Sequence, residues 1–172
     1  MARKGRGKGR NKAKPGAASG GDSAPGRRSV ARNRRATYDY EILERTEAGL
    51  VLSGSEIKSL REGRASIQEA YVRPRDGEMW LVGAHISQYE AANQNNHDPR
   101  RDRKLLLHRR EIAHLQEAFE QKALTIVPMH LYIARGLAKL EIGVGRGRRR
   151  YDKRAAMAAR DAARRMRAAV RR

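Results

Sequence analysis

Alternating hydrophobic and polar residues predict short β-strands along the middle of the chain. A period of two is typical of a strand with one buried face. The first strand is expected from residue 37 onward, and its alternating large residues are Tyr38, Tyr40 and Ile42. A turn near Ala48-Gly49 is expected to separate it from a second strand that contains Leu50 and Leu52.

Two further strand pairs flank residues that favour tight turns. Residues 71–73 and 79–82 lie on either side of Asp76-Gly77, a dipeptide that is typical of two-residue hairpin turns. Residues 125–134 and 138–144 flank Arg135-Gly136 in the same way. The sequence therefore predicts two β-hairpins.

Helical spacing appears in two places. Ser53 and Glu56 have the spacing of a capping box before a short helix over residues 55–62. A second helix is predicted over residues 108–122, because Ile112, Leu115 and Phe119 share one helical face. Residues 91–103 are rich in Asn, Asp and Pro, and we expect them to be irregular. Short antiparallel strands with two or three helices predict a mainly β fold, a small barrel.

The net charge of +20 lies in two arms around a nearly neutral body. Residues 1–36 hold twelve basic residues and one acid, and residues 145–172 hold twelve and two. Such arms repel themselves but attract a polyanion, whose counterions are released on binding. Neither arm has the apolar face of an interfacial helix, so nucleic acid is a better partner than a membrane.

Composition divides the chain into three parts. Residues 1–29 contain mainly Gly, Ala, Pro, Ser and basic residues, and we expect a disordered basic arm. Residues 30–150 are expected to form the β-barrel. Residues 151–172 form a basic tail rich in Ala and Arg, which should become helical when a partner neutralises its charge.

Few residues suggest catalysis or a cofactor. The chain has no cysteine, which excludes disulfides and thiol chemistry, and its histidines have no metal-ligand spacing. His97-Asp98 permits an RNA hydrolase as one alternative, but adjacent side chains point apart. Glu56 fits a helix cap better than a general base. We expect a soluble, cytoplasmic, monomeric protein without metal, cofactor or enzymatic activity.

Six short motifs resemble the small protein B family, the tmRNA-binding proteins of bacterial trans-translation. They occur in the family's order and comprise residues 33–36 (NRRA), 47–50 (EAGL), 54–61 (GSEIKSLR), 96–99 (NHDP), 102–108 (DRKLLLH) and 151–154 (YDKR). The resemblance implies an oligonucleotide-binding (OB) type barrel and a tail that folds on the ribosome. It implies that the protein binds the tRNA-like domain of tmRNA and delivers it to stalled ribosomes for nascent-chain tagging and rescue. Elongation factor Tu and alanyl-tRNA synthetase are implied partners through charged tmRNA.

The resemblance also implies the site residues. Four positions match family residues implicated in tmRNA binding: Asn33, Glu47, Leu106 and Lys139. Charge and proximity add four more: Arg34, Arg35, Arg103 and Lys104. Two alternatives remain open at this point, because Glu47 also fits an ordinary carboxylate at a strand end and Leu106 also fits the core.

The segment after the barrel matches the family's hinge, which enters the decoding region of the small ribosomal subunit. The matching positions are Arg146, Gly147, Arg148, Arg149, Tyr151, Asp152, Lys153 and Arg154, and Met166 matches an apolar position of the tail. A structural rRNA-binding ribosomal protein is the main alternative function, because basic arms around a neutral barrel have the same composition.

Overall fold

Nine strands and three α-helices occur among the residues that the computed structural model describes, which are 26–92, 96–121, 124–148 and 166. The strands are β1 (Arg27–Arg32), β2 (Tyr40–Leu50), β3 (Ala65–Ser66), β4 (Tyr71–Arg75), β5 (Glu78–Val82), β6 (His85–Ile86), β7 (Arg103–Leu106), β8 (Leu124–Ala134) and β9 (Leu137–Gly147). The helices are α1 (Ala36–Asp39), α2 (Gly54–Arg61) and α3 (Arg109–Glu120).

Six of the described strands close into an antiparallel ring. Their order is β8-β4-β5-β7-β2-β9, and the ring closes because β9 also pairs with β8 along its length. Strand β1 adds to the other edge of β8, and β3 and β6 form a small separate pair. The prediction of a mainly β, OB-type antiparallel barrel with two or three helices is confirmed. The parts of the predicted arm and tail at residues 1–25, 151–165 and 167–172 lie outside the described residues.

Inward-facing aliphatic residues fill the barrel. Strand β9 shows the pattern, since Ala138, Leu140 and Ile142 are buried while Lys139 and Glu141 alternate with them. Helix α3 adds Leu115 and Ala118 to the same core. The two predicted hairpins are confirmed, and their turn residues have the positive φ that a tight turn requires: 52° and 72° at Asp76-Gly77, and 50° and 80° at Arg135-Gly136.

The prediction of two strands separated at Ala48-Gly49 is wrong. Strand β2 continues from Tyr40 to Leu50, and its residues 40–49 pair with β9. Position 49 requires a glycine because β7 passes close to it. A Cβ on Gly49 would lie 3.2 Å from the Cβ of Leu106. Residues 37–39, expected in the strand, belong to α1, which follows a turn in which the Asn33 side chain accepts a hydrogen bond from the Ala36 N–H.

The predicted boundary of the N-terminal arm is wrong, because the last residues assigned to the arm belong to β1. Residues 27–29, which the composition assigned to the arm, pair with residues 132–134 of β8. The segment has few large apolar residues, so hydrophobic periodicity does not reveal it. Its order comes from the hydrogen bonds offered by the edge of β8 and from Val30, which packs against the core.

A second, smaller core covers one end of the outside of the barrel. It contains Ala36, Val127 and Met129, with Tyr40 and Ile42 packed against them. Gly143 and Gly145 of β9 make room for it, because a Cβ on Gly143 would lie 3.1 Å from Ile42 and one on Gly145 would lie 2.9 Å from the Glu41 carbonyl oxygen. This core fixes α1, and therefore residues 33–35, to the barrel.

Helices α2 and α3 match the sequence predictions. Helix α2 begins after Ser53, with the Ser53 side chain and the Glu56 side chain each bonding the other residue's backbone N–H. Helix α3 lies within the predicted range of 108–122. No helix within the described ranges is long and apolar enough to cross a membrane.

Candidate nucleic-acid interface

One row of cross-strand neighbours places the predicted site residues together. Leu106 of β7 pairs with Gly49 of β2, Gly49 pairs with Lys139 of β9, and Lys139 pairs with Tyr132 of β8. Directly paired residues have their side chains on the same face of a sheet. Glu47, two residues from Gly49, shares that face. Tyr132 is buried, and we call the surface formed by the other three residues, Glu47, Leu106 and Lys139, the outer face.

Glu47 is held by three groups from three different strands. The Tyr132 hydroxyl donates a hydrogen bond to Glu47 Oε2, the Lys139 ammonium lies 3.2 Å from Oε1, and Arg27 Nη2 lies 3.5 Å from Oε2. Arg27 also stacks on the Tyr132 ring, with its guanidinium carbon 5.0 Å from the ring centroid. Glu47 lies inside β2, three residues before its last residue Leu50, so the alternative of a carboxylate at a strand end is wrong.

These contacts keep Glu47 ionised. The hydrogen bond from Tyr132 lowers the pKa of the Glu47 carboxyl, and Lys139 and Arg27 lower it further against the effect of partial burial. Burial, followed by the bond to Glu47, raises the pKa of Tyr132 to about 12. The Glu47 side chain remains 41% exposed. It therefore presents a fixed carboxylate that can accept hydrogen bonds from base amino groups.

Leu106 lies on the surface and not in the core. Leu106 is 53% exposed, whereas its neighbour Leu105 is fully buried. The side chain leans over Gly49, whose missing Cβ leaves it space. Leu106 thus supplies an apolar contact next to the charges of Glu47 and Lys139.

Asn33 has an internal role in this structure. The residue is buried, its side-chain nitrogen donates to the Ile67 carbonyl oxygen at 3.3 Å, and its side-chain oxygen accepts from the Ala36 N–H at 3.0 Å. Both polar groups of the amide are therefore used within the protein. Asn33 holds the bend between β1 and α1 from which Arg34 and Arg35 extend at the surface.

A basic cleft adjoins the outer face beside this bend. It has a volume of about 480 Å³, and its polar lining residues are Arg32, Asn33, Arg34, Thr37, Arg45, His130 and Glu141. Arg45 pairs with Glu141 at 2.8 Å. Burial and the nearby Arg32 charge lower the pKa of His130, which favours the neutral ring. The cleft links residues 33–35 to the outer face.

Arg103 requires a correction. Its side chain is 0% exposed, and its Nε lies 2.9 Å from Glu56 Oε1. Its Nη atoms donate to the carbonyl oxygens of Ala84, Pro99 and Arg101. A guanidinium enclosed in this way does not reach RNA, because inward and outward residues alternate along β7 and position 103 faces the interior. Lys104, its neighbour, lies on the outside and pairs with Glu78 at 2.8 Å.

The structure describes only part of the predicted hinge. Arg146 and Gly147 end β9, and the Arg148 N–H donates to the Asp39 carbonyl oxygen at 2.8 Å. Arg149, Tyr151, Asp152, Lys153 and Arg154 lie outside the described residues. Met166 is exposed.

His97 has a structural environment. Its Nδ1 lies 2.9 Å from the Ser55 hydroxyl and its Nε2 lies 3.1 Å from the Ile86 carbonyl oxygen, which together attach the loop after β6 to α2. The ring is buried and paired with neither Asp98 nor another acid in the described hydrogen bonds. Within the described part of the chain, no three His, Asp or Glu side chains are placed to hold a metal ion.

Sequence reasoning missed Tyr132 and Arg27, the two residues that complete the environment of Glu47. Tyr132 has the appearance of one more hydrophobic residue within the apolar run of β8, and Arg27 was assigned to the arm. Only the strand register, which pairs Arg27 with Ala134 and Tyr132 with Lys139, brings them to Glu47.

Comparisons with known proteins agree on one family. A family model described as SmpB protein matches residues 30–172. An SsrA-binding protein of Carboxydothermus hydrogenoformans is 49% identical over 142 residues, which are 83% of this chain and 95% of the relative. An SsrA-binding protein of Thermobifida fusca is 49% identical over 151 residues, which are 88% of this chain and 94% of the relative. A similar chain occurs in a solved structure described as "tmRNA-SmpB: a journey to the center of the bacterial ribosome", with a TM-score of 0.60, 47% identity and coverage of 73% of this chain and 92% of that one.

Proposed function

This chain belongs to the SmpB protein family, and from that membership we propose that it is the tmRNA-binding adaptor of trans-translation. It binds the tRNA-like domain of tmRNA and delivers it to stalled ribosomes, where the nascent chain is tagged and the ribosome is released. The observation that supports the RNA contact is the outer face, on which Glu47, Leu106 and Lys139 lie side by side.

The outer face offers three kinds of contact to RNA. The Lys139 ammonium attracts a phosphate, and the fixed carboxylate of Glu47 accepts a hydrogen bond from a base amino group. Leu106 packs on a base or ribose. A carboxylate repels phosphates, so this combination favours an RNA that places a base edge at Glu47 and discriminates against an arbitrary polyanion.

The basic cleft and the surface arginines extend this site. Arg34, Arg35 and Lys104 contribute phosphate contacts, and Asn33 acts by holding the bend that carries Arg34 and Arg35. Arg103 supports the site from inside. Phosphate contacts of this kind position the RNA without reading its sequence.

The hinge and tail act on the ribosome in this proposal. The hinge residues, from Arg146 to Arg154, enter the decoding region of the small subunit, and Met166 supplies an apolar contact of the tail. Residues 151–172 fold there once rRNA neutralises their positive charge.

The remaining partners follow from the cargo. Elongation factor Tu and alanyl-tRNA synthetase meet the protein through charged tmRNA, in the cytoplasm where ribosomes work. The protein acts as a monomer and carries out no reaction itself. The contacts of His97 argue against the alternative of an RNA hydrolase. Both ring nitrogens contact Ser55 and Ile86, and neither contacts an acid that would orient the ring as a base. The family membership disfavours a permanent ribosomal protein.

A competition binding assay tests the proposal. The full chain is titrated into labelled tRNA-like domain of tmRNA at physiological salt, and excess tRNA, duplex DNA or an rRNA fragment is added as competitor. We expect unlabelled tRNA-like domain to displace the label at much lower concentration than the other polyanions. Equal displacement by all of them would contradict the proposal and leave nonspecific attraction by the arms.

Substituting Glu47 tests the outer face in the same assay. E47Q should weaken binding by roughly 10- to 100-fold, because a hydrogen bond to a charged group contributes about 1.5–3 kcal/mol. The matched control is E44Q, which removes the same charge from the same strand but at a residue that pairs with His114 of α3. Equal affinities of the two variants would show that Glu47 is not part of the RNA site.

A further inference from the structure

Strands β4, β5 and β7 carry a second set of side chains directly beside the outer face. Arg73 pairs with Trp80, and Trp80 pairs with Lys104. Lys104 is two residues from Leu106 on the same strand, so the row faces the same side of the barrel. We call Arg73, Arg75, Trp80 and Asp102 the Trp80 group. Lys104, the cross-strand partner of Trp80, lies about 7 Å from Leu106 along β7.

Asp102 holds the two arginines of the Trp80 group together. Its Oδ2 lies 3.0 Å from Arg75 Nη1 and 3.6 Å from Arg73 Nη2. The Arg73 and Arg75 side chains remain 41% and 38% exposed. One carboxylate therefore orients two guanidinium groups that still have donors to offer, an arrangement suited to the several oxygens of a phosphate.

Trp80 supplies a half-buried aromatic ring that carries a charged side chain on its face. The Arg75 guanidinium carbon lies 3.9 Å from the centroid of the Trp80 ring. A nucleobase stacks on the same kind of aromatic surface as a guanidinium does. The exchange of Arg75 for a base would leave Arg75 available to bind the phosphate of the same nucleotide.

Two polar atoms at this site lack hydrogen-bond partners. Trp80 Nε1 and Arg73 Nε are buried, and neither has a partner among the described residues. An unsatisfied buried N–H is costly, and an acceptor on a ligand removes that cost. Both atoms are donors, so the missing partner is an acceptor, as phosphate and base oxygens are.

We propose that the Trp80 group binds one unpaired nucleotide of the tRNA-like domain of tmRNA. The base stacks on Trp80, and the phosphate is bound by Arg73 and Arg75. An unpaired nucleotide is required because a base within a helix has no exposed face to stack on a side chain. This inference rests on the proposed function, since it assigns the nucleotide to the RNA on the adjoining outer face.

The fluorescence of Trp80 provides a direct test, because the sequence contains one Trp. The full chain is titrated with the unlabelled tRNA-like domain while Trp emission is recorded, and binding of labelled RNA is followed by anisotropy in parallel. We expect emission to be quenched with the same midpoint as the anisotropy change. Quenching should be absent with duplex RNA of equal length that contains no unpaired nucleotide.

Two variants separate stacking from charge. W80L should weaken binding of the tRNA-like domain about tenfold, in line with the loss of one stacked base. R73Q/R75Q should weaken it by a similar factor and reduce the slope of log affinity against log salt by about one to two. The matched control is R109Q/R110Q, which removes two charges from the start of α3. Circular dichroism melting checks that each variant is folded.

The outcomes distinguish this inference from the proposed function. Tight binding of the tRNA-like domain with unchanged Trp emission, and with R73Q/R75Q equal to its control, overturns the inference and leaves the function standing. Failure of the unmodified chain to prefer the tRNA-like domain overturns both. Normal binding by W80L and R73Q/R75Q with loss of ribosome association alone would assign the contact to rRNA and also overturn the inference.

Discussion

Glu47 is an acid at the centre of a surface that we propose to bind a polyanion. Its position becomes understandable through its neighbours, because Tyr132, Lys139 and Arg27 orient the carboxylate and balance its charge. The sequence predicted Glu47 and Lys139 through the resemblance to the family. It did not predict Tyr132, which lies 85 residues from Glu47 and becomes its neighbour only through the register of β8, β9 and β2.

Removing the Tyr132 hydroxyl should raise the pKa of Glu47 and hold its carboxylate less firmly in place. Y132F retains the ring and its contact with Arg27 but deletes the donor to Glu47 Oε2. We expect the pKa of Glu47 to rise toward its ordinary value of 4.5, and affinity for the tRNA-like domain to fall about fivefold, as for one hydrogen bond of about 1 kcal/mol. NMR titration of the Glu47 side-chain carboxyl and anisotropy measure the two effects.

The control for this prediction is Y71F, which removes a hydroxyl from an exposed residue of β4. A Glu47 titration in Y132F that matches both Y71F and the unmodified chain would contradict the positioning role.

The direction of the pH effect on stability follows from the lowered pKa of Glu47. The contribution of the ionised Glu47 to stability is present above pH 4.5 and is lost as the pH falls through its folded pKa.

Glu56 joins two elements that are distant in sequence, helix α2 and strand β7. Its carboxylate caps α2 through the Ser53 N–H at 2.7 Å and pairs with both Arg101 and buried Arg103. The capping-box spacing of Ser53 and Glu56 predicted the cap. The ion pair was not predictable from charge, because a basic run such as residues 100–104 has the same appearance in sequence whether its members face solvent or the core.

Substituting Glu56 should destabilise the barrel. E56Q leaves the Arg103 guanidinium buried without its counter-ion, which costs about 3–5 kcal/mol. Urea unfolding at pH 7 measures the change, and E62Q, an exposed acid that follows the same helix, is the control. A loss no larger than that of E62Q would show that the backbone carbonyl oxygens around Arg103 suffice to stabilise it.

The same pair predicts a pH dependence of stability. Burial alone would raise the pKa of Glu56, but the bonds from Arg101 and the Ser53 N–H, with the nearby charge of Arg103, lower it below 4.5. The stabilisation by Glu56 is therefore present above pH 4.5 and lost as the pH falls through the folded pKa. The difference in unfolding free energy between E56Q and the unmodified chain should shrink over that acidic range. A constant difference would contradict this assignment.

Strand β1 should contribute to stability although its sequence resembles the arm. Deleting residues 1–32 removes the five residue pairs between β1 and β8. Each lost backbone hydrogen bond costs about 0.5–1.5 kcal/mol, so we expect a loss of several kcal/mol. Deleting residues 1–25 retains β1 and should leave the unfolding free energy unchanged. Chemical denaturation of the two truncated chains tests this, and equal stabilities would show that β1 adds nothing.

Local patterns predicted the elements well where neighbouring residues decide the structure. Asp76-Gly77 and Arg135-Gly136 specify turns through their own backbone preferences, and Ser53 with Glu56 specifies a helix start. The pattern failed at Gly49, which was interpreted as a turn. There the requirement for glycine comes from Leu106 of another strand, and no local signal distinguishes close packing from a turn.

The charge distribution of the whole molecule suggests a division of labour. The described barrel carries the outer face, whereas the tail holds much of the positive charge. Deleting residues 155–172 should spare binding of the tRNA-like domain, apart from a weaker salt dependence, and abolish tagging of nascent chains. Anisotropy and a reconstituted tagging assay measure the two activities. Parallel loss of both would show that the barrel and tail bind tmRNA as one unit.

Strand β9 joins the outer face to the start of the tail and keeps a fixed distance between them. Lys139 lies on the outer face, and eight residues later Gly147 ends the strand, a contour length of about 27 Å. Pairing with β2 and β8 on both edges, and the bond from Arg148 to Asp39, prevent the strand from stretching or sliding. The outer face and the end of β9 are thus a fixed distance apart. In the function that we propose, binding of tmRNA at one end of the strand therefore sets where its other end lies relative to the ribosome.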